Sequence, residues 1–282
     1  MADDRPHRHT EAVLDHALWI GGPPATGKTS IARRLARRYG LRLYSADTRT
    51  WAHRDRAIAE GCEAAIRWEA MTPQQRWERS SPLEMLETSL LSERGPMVVD
   101  DVAALPPAPL VLAEGTVVPP WLVERGHADT SRVVWLLPTR SFQDARLADA
   151  GATPGHTTLY RLVRDTIAEE VRHRDLPAVT VDGSAGLPEV ADEVERHLHA
   201  HLAAGPHATT AAERAGLLRE SNQAVVDQYR AGRSRSWASG RADDAFAWFV
   251  CECADPSCVA QVETTVGAAA RGPLLAPGHP GA

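Results

Sequence analysis

The chain has 282 residues and a formal net charge of -6, which argues against the basic footprint of a nucleic-acid-binding protein. No apolar run reaches the roughly 18–20 residues of a membrane span, so no membrane partner is expected. Cys62, Cys251, Cys253 and Cys258 are too few and too unevenly placed for a secreted disulfide framework, and the polar N-terminus MADDRPHRHTEAVLDH is unlike a signal peptide, so a cytoplasmic location is expected.

The first predicted strand is the apolar run HALWIGG, which ends in glycines. It leads into GGPPATGKTS, where Gly22, Gly27, Lys28 and Thr29 match the G-x4-G-K-T phosphate-loop pattern. Lys28 is the single lysine of a chain that otherwise uses arginine for positive charge. A compact ammonium on a flexible stem suits β- and γ-phosphates where a planar guanidinium is bulkier. Gly22, Pro23, Pro24, Ala25, Thr26, Gly27, Lys28, Thr29 and Ser30 are therefore read as the nucleotide cradle, with Lys28 as a catalytic cation and Thr29 offering its hydroxyl to Mg²⁺. The flanks fit, because TSIARRLARRYG places Ile31 and Leu35 on one helical face and stops at Gly40.

LRLYSAD reads as a second strand ending at Asp47. Asp47 is the candidate acid-base partner for a phosphoryl acceptor; the competing reading is an N-cap for a helix starting near Thr48. His53 lies six residues on, as a neighbour or as a packing residue. From Thr48 to Glu93, a polar stretch with Trp51, Trp68 and Trp77 predicts two or three helices over the sheet. Two stretches then compete for the Mg²⁺-associated acid: MVVDD, ending at Asp100 and Asp101, and LVLAEG, ending at Glu114. Glu114 is preferred, because Pro109 bounds its run, Gly115 follows it, and VVPPWL suits a loop at a strand's end. SRVVWLLPT and LPAVTVDGS supply the remaining strands. After the fourth, Arg146 is the best-placed arginine for a lid over the phosphates, ahead of Arg140, Arg161 and Arg164. After the fifth, Asp182, Gly183 and Ser184 form a turn suited to backbone contacts with a nucleotide base, or simply to entering the last helix.

Strands alternating with helices predict an α/β fold of P-loop NTPase type: a five-stranded parallel sheet with helices on both faces, plus a small C-terminal α+β appendage. The expected boundaries are 1–203 for the P-loop domain, 204–265 for the appendage, beginning at a linker over 202–210, and 266–282 for a disordered Gly-, Ala- and Pro-rich tail. Every strand-end residue given a role lies before the linker, so the tail is expected to be separable from the phosphoryl-transfer chemistry. Within it, Cys251, Cys253 and Cys258 form C-x-C-x4-C. Three soft ligands suit Zn²⁺, with Asp255, a histidine, Cys62 or another chain as the fourth; the alternative is a hairpin with buried thiols beside Phe246, Trp248 and Phe249.

Over roughly residues 16–202 the order GGPPATGKTS, YSAD, LVLAEG, VWLLPTRSFQDAR, VTVDGS resembles the small-molecule kinases of the adenylate-kinase-like P-loop group, such as shikimate kinase, chloramphenicol phosphotransferase and nucleoside kinases. The resemblance implies ATP and Mg²⁺, and a small hydroxylated or phosphorylated acceptor held between Asp47 and a lid, in a monomer or homodimer. The segment from Trp51 to Glu93 departs from any acceptor-binding segment of that group. A nucleotide-binding regulator or chaperone-like ATPase coupled to a protein partner is the alternative. The tail resembles a CEC…C segment at the ends of uncharacterised bacterial proteins, which implies no function.

Overall fold

The computed structural model describes residues 13–279. The N-terminal stretch read as unlike a signal peptide therefore lies outside the described residues over 1–12, as do residues 280–282 of the tail. Five strands, β1 (Ala17–Gly21), β2 (Arg42–Ser45), β3 (Val111–Gly115), β4 (Val133–Pro138) and β5 (Ala178–Val181), form a parallel sheet in the order β2-β3-β1-β4-β5. The helices of the first part of the chain are α1 (Lys28–Tyr39), α2 (Thr50–Ala59), α3 (Glu63–Ala70), α4 (Pro82–Thr88) and α5 (Arg94–Ala103). Then follow α6 (Arg140–Asp149), α7 (Pro154–His173), α8 (Leu187–Ala204) and α9 (Ala211–Arg233). The chain closes with a hairpin of β6 (Phe246–Val250) and β7 (Gln261–Thr265) and helix α10 (Val266–Arg271).

Every residue of β1 and β3 is buried, because a parallel sheet covered on both faces has no solvent side to alternate toward. Side chains still alternate between two cores. Val111 and Ala113 join Trp19 and Trp135 under α5 and α7, where Val98, Val102, Val163 and Ile167 close the layer. Leu112, Leu18 and Ile20 face the other way, against Ile31 and Leu35 of α1 and Val194 and Leu198 of α8. Glu114, two residues after Leu112, shares that second face, so it turns toward the start of α1. Truncating one fully buried leucine here to alanine would cost on the order of 2–5 kcal/mol.

Local sequence explains where the helices stop and start. Gly40 ends α1 in the left-handed conformation (φ 65°) and donates to the carbonyls of Ala36 and Arg37. Ser81 caps α4 by accepting from the Glu84 N–H, with Pro82 in the first turn. Thr210 and Glu213 form a reciprocal capping box at the start of α9.

The tryptophan-containing segment forms α2, α3 and α4 with a π-turn at Gln75–Arg79. Trp51 and Trp68 meet Trp237 from beyond α9, with ring centroids 5.6–5.9 Å apart. The Arg76 guanidinium lies 3.6 Å over Trp68, and Arg54 lies 3.9 Å over it.

The stretch 202–210 is bound to the foot of the sheet. Pro206 accepts a hydrogen bond from the Leu110 N–H at 2.8 Å, and the Ala208 N–H donates to Gly40 at 2.8 Å. Helix α9 runs beside β2, where Arg42 pairs with Glu220 at 3.0 Å. The composition of 266–282 predicts disorder; instead, residues 266–279 are ordered, with Thr265 capping α10 and Val266, Ala269 and Leu274 packed against Val226 and Phe249. Small residues serve packing there: a Cβ on Gly267 would sit 2.9 Å from that of Asp243. Among the described residues, no helix is long and apolar enough to cross a membrane.

Candidate functional site

The site gathers where β1, β2 and β3 end. The glycine-rich segment leaves β1 at Gly22, whose φ of 139° and whose approach to the Leu136 carbonyl, 2.4 Å from where a Cβ would stand, admit only glycine. Ala25 (φ 70°) and Gly27 (φ 83°) are also left-handed, so the loop doubles back twice before Gly27 caps α1. Thr26 is buried and its hydroxyl donates to Pro23 at 3.3 Å. Pro24 is held from outside by the Gln143 amide at 3.1 Å. Lys28, buried in the first turn of α1, points its Nζ at the Pro23 carbonyl (3.5 Å) and at Asp47 Oδ2 (3.7 Å).

Strand register sets the acidic side. β2 and β3 pair Ser45 with Glu114, and β1 and β3 pair Ile20 with Glu114. Glu114 thus sits fully buried between two strand ends, accepting from Thr29 Oγ1 at 3.1 Å and, in a short contact, from Ser45 Oγ. Burial and then the charge of Asp47 push its pKa up, while Lys28 and the two hydroxyls oppose the rise. Gly115 (φ 154°) lets the next turn close in, since a Cβ there would stand 2.6 Å from that of Ala46. That turn, Ala46–Arg49, carries Asp47. Asp47 does not cap α2, whose N-cap is Arg49; its carboxylate is half-exposed and faces Lys28.

Behind Asp47 lies a buried network invisible as a motif. Asp101 accepts from Tyr44 at 2.8 Å and pairs with His53 Nε2 at 3.0 Å. Arg94 donates to His53 Nδ1 at 3.2 Å and to the Ala46 carbonyl at 2.7 Å. Burial lowers the His53 pKa, against the pull of Asp101. Burial likewise lowers that of Arg94, which Asp47, Tyr44 and Asp101 partly offset. Asp101, though burial acts upward, is held below its ordinary value by its bonds to His53 and Tyr44. The MVVDD stretch lies within α5 and is not a strand, and Asp100 pairs with Arg56 at 2.5 Å.

On the opposite wall, α6 touches the loop through Gln143, which is fully buried and accepts from Arg164 of α7 at 3.0 Å. Arg146 lies on the outer side of α6, 59% exposed and 3.7 Å from Asp149. Arg140 and Arg161 are exposed and paired with Asp165 and Asp144. Asp182 accepts from the backbone and hydroxyl of Ser184 at 2.9 and 2.6 Å, and Gly183 (φ 87°) packs against Phe142. Leu187, at the start of α8, reaches within 3.0 Å of a Cβ placed on Gly27. Ser30 lines a cavity of about 210 Å³ between α1, α9 and the tail, with Arg33, Arg34 and Leu217.

A second cluster lies in the tail. Cys251, Cys253, Cys258 and His279 place their ligand atoms within 4.8 Å of one another, an arrangement that can hold a metal ion such as zinc. Burial raises the Cys258 thiol to about 11. The Asp255 backbone N–H and the His279, Cys258 and Cys251 side chains bring Cys253 down to about 6 against the upward effect of burial. The hairpin also forms, with Phe249 buried but Phe246 and Trp248 exposed. Cys62 packs near Ala57, Ala65, Leu90 and Met97 instead. No protein-family model matches the chain, and no curated protein matches it.

Proposed function

We propose that the chain is a cytoplasmic P-loop enzyme that transfers the γ-phosphoryl group of ATP to a small hydroxylated or phosphorylated metabolite, with Mg²⁺ as cofactor. The observation that carries the proposal is the convergence of Lys28, Thr29, Asp47 and Glu114 on a glycine-rich loop at the carboxyl ends of three parallel strands, the position where open α/β sheets bind ligands. The residues fit the ligands. Left-handed Gly22, Ala25 and Gly27 give the repeated reversal that gathers backbone N–H groups into an anion nest at a helix start. The Thr29 hydroxyl and the Glu114 carboxylate are hard oxygen donors, the kind Mg²⁺ prefers.

Bound Mg²⁺ would supply charge neutralisation on the phosphates. The chain supplies the rest. Thr29 and Glu114 would hold the cation, and the Lys28 ammonium would bind the β- and γ-phosphate oxygens. Asp47 would accept the proton of an acceptor hydroxyl as its oxygen bonds to phosphorus and the bond to the ADP oxygen breaks. Gln143 and Arg164 hold the Pro24 corner so that the loop does not have to reorganise. The Asp182–Ser184 turn and Phe142 border the side where the base would lie. Helices α2–α4 would close over the acceptor and exclude water.

The test is a screen of hydroxylated metabolites, nucleosides and aminoglycoside-like compounds for acceptor-stimulated ADP release. A metabolite that raises ADP release and gains one phosphate by mass supports the proposal. Failure to bind Mg²⁺·ATP, or ATP consumption that rises only with a protein partner, overturns it.

A further inference from the structure

We propose that Cys251, Cys253, Cys258 and His279 hold one structural Zn²⁺, and that Arg37 joins this ion to the helix that begins with Lys28. The distances suit tetrahedral coordination. Zn–S bonds of about 2.3 Å and Zn–N bonds of about 2.0–2.1 Å place neighbouring sulfur and nitrogen ligands about 3.6 Å apart. His279 Nδ1 stands 3.4 Å from Cys251 Sγ and 3.8 Å from Cys258 Sγ. The four ligand atoms come from two separate segments, so no local spacing supplies the fourth. Two backbone features bring the segments together. Ala254 takes the left-handed conformation (φ 59°) between Cys253 and Asp255, and the Glu252 N–H donates to Leu274 at 2.6 Å, bringing the segment that ends in His279 alongside.

The surroundings are those of a metal's outer shell. The Ala276 N–H donates to Cys251 Sγ at 3.3 Å, and Arg37 Nη1 lies 3.7 Å from Cys253 Sγ. Three thiolates and one neutral imidazole around a divalent ion leave a net charge of about -1, and such sites draw hydrogen-bond donors to their sulfurs. Arg37 supplies the opposite charge. Its guanidinium is buried, and it also donates to the Asp255 carbonyl at 3.1 Å and to the Cys251 carbonyl in a short contact. It therefore grips both arms of the cysteine turn from the third turn of α1. Asn222 of α9 holds the same turn from the other side, exchanging hydrogen bonds with Val250 at 2.9 Å in both directions.

The site goes beyond the proposed phosphotransfer, and its test does not use nucleotide. The full-length chain, purified under reducing conditions, is analysed for metal by mass spectrometry and then exchanged with Co²⁺ for visible absorption. About one zinc per chain and the intense thiolate–cobalt bands of a tetrahedral site are expected. His279→Ala should shift the cobalt bands and weaken zinc, and the double change Cys251→Ser with Cys258→Ser should abolish the thiolate–cobalt bands, while the far-ultraviolet circular dichroism of the sheet and helices persists. Arg37→Met should keep one site but weaken zinc, by chelator competition, about 10–100-fold, with Arg37→Lys recovering part of the loss. Wild-type chain that carries no zinc and takes up neither Zn²⁺ nor Co²⁺ overturns the site. Unchanged zinc affinity in Arg37→Met overturns the link to α1.

Discussion

Replacing Asp47 by asparagine separates binding from chemistry, because the structure gives the two roles different magnitudes. The Lys28–Asp47 pair is 3.7 Å long, but the Asp47 side chain is 45% exposed, so water screens the pair to no more than about 1 kcal/mol. Its loss can change Mg²⁺·ATP affinity by about fivefold at most. The sign need not be unfavourable: removing the Asp47 charge also relieves buried Glu114, whose pKa that charge raises, and frees Lys28 for phosphate. Loss of a positioned general base, in contrast, costs about 10²–10⁴-fold in turnover, or roughly 3–5 kcal/mol of barrier. The chemical term therefore dominates. Calorimetric titration with Mg²⁺·ATP, set beside acceptor-dependent ADP release, should show kcat collapsing while Kd stays within fivefold. A Kd weakened by tenfold or more, or turnover within fivefold of wild type, would refute the role given to Asp47.

Lys28→Arg should lose turnover nearly as fully as Lys28→Ala, because the buried loop is shaped for an ammonium; wild-type turnover in the arginine variant would show that charge alone suffices. Arg94→Met strips donors from the buried Ala46 carbonyl and His53 Nδ1, so it should cost roughly 2–6 kcal/mol. That loss is read as a fall of several degrees in Tm, and a Tm equal to wild type sinks the assignment. His53 titrates below its ordinary value when folded, so as pH falls through the ordinary range near 6.5 the unfolded chain takes up the proton first and stability drops. Asp101 is likewise depressed and adds a further loss below about pH 4. Denaturation midpoints measured between pH 7.5 and 5.5 should fall less steeply in His53→Gln than in wild type; equal slopes would remove His53 from the account.

Much of this site could be read from sequence because it is built at strand ends. A strand buried on both faces is a continuous apolar run, and the acid at its end made Glu114 visible, whereas Asp47 was visible because it follows the alternating LRLYS strand. The same signature misleads at MVVDD, where Met97, Val98 and Val99 are apolar because one side of α5 is buried, and the two aspartates lie inside the helix, near its C-terminal end. Arg146 shows where helix phase falls short: it stands three residues after buried Gln143, yet near the end of α6 its long side chain is exposed and pairs with Asp149. Leu159, Val163 and Ile167 set an inward face on α7 that Arg164 adjoins, a periodicity that could have ranked Arg164 higher. Gln143 carried no signal, since a neutral amide matches no charge pattern. His279 was hidden by distance, because only the return of the chain past Leu274 brings it to the cysteines. The stretch 202–210 has the composition of a tether, yet its backbone groups bind the sheet's foot, and composition alone does not record where a backbone N–H points.

The single lysine has a chemical consequence. The protein's one ε-amine stands in the first turn of α1, pointing back into the loop, and Lys28 is only 5% exposed. An amine-directed acylating reagent, whatever it does at the α-amino terminus, can therefore place just one side-chain tag on each molecule. That tag would report on the loop and on nothing else. Its rate measures how often the loop opens, and its suppression by a bound anion would count occupied loops directly, without separation and without knowing the acceptor.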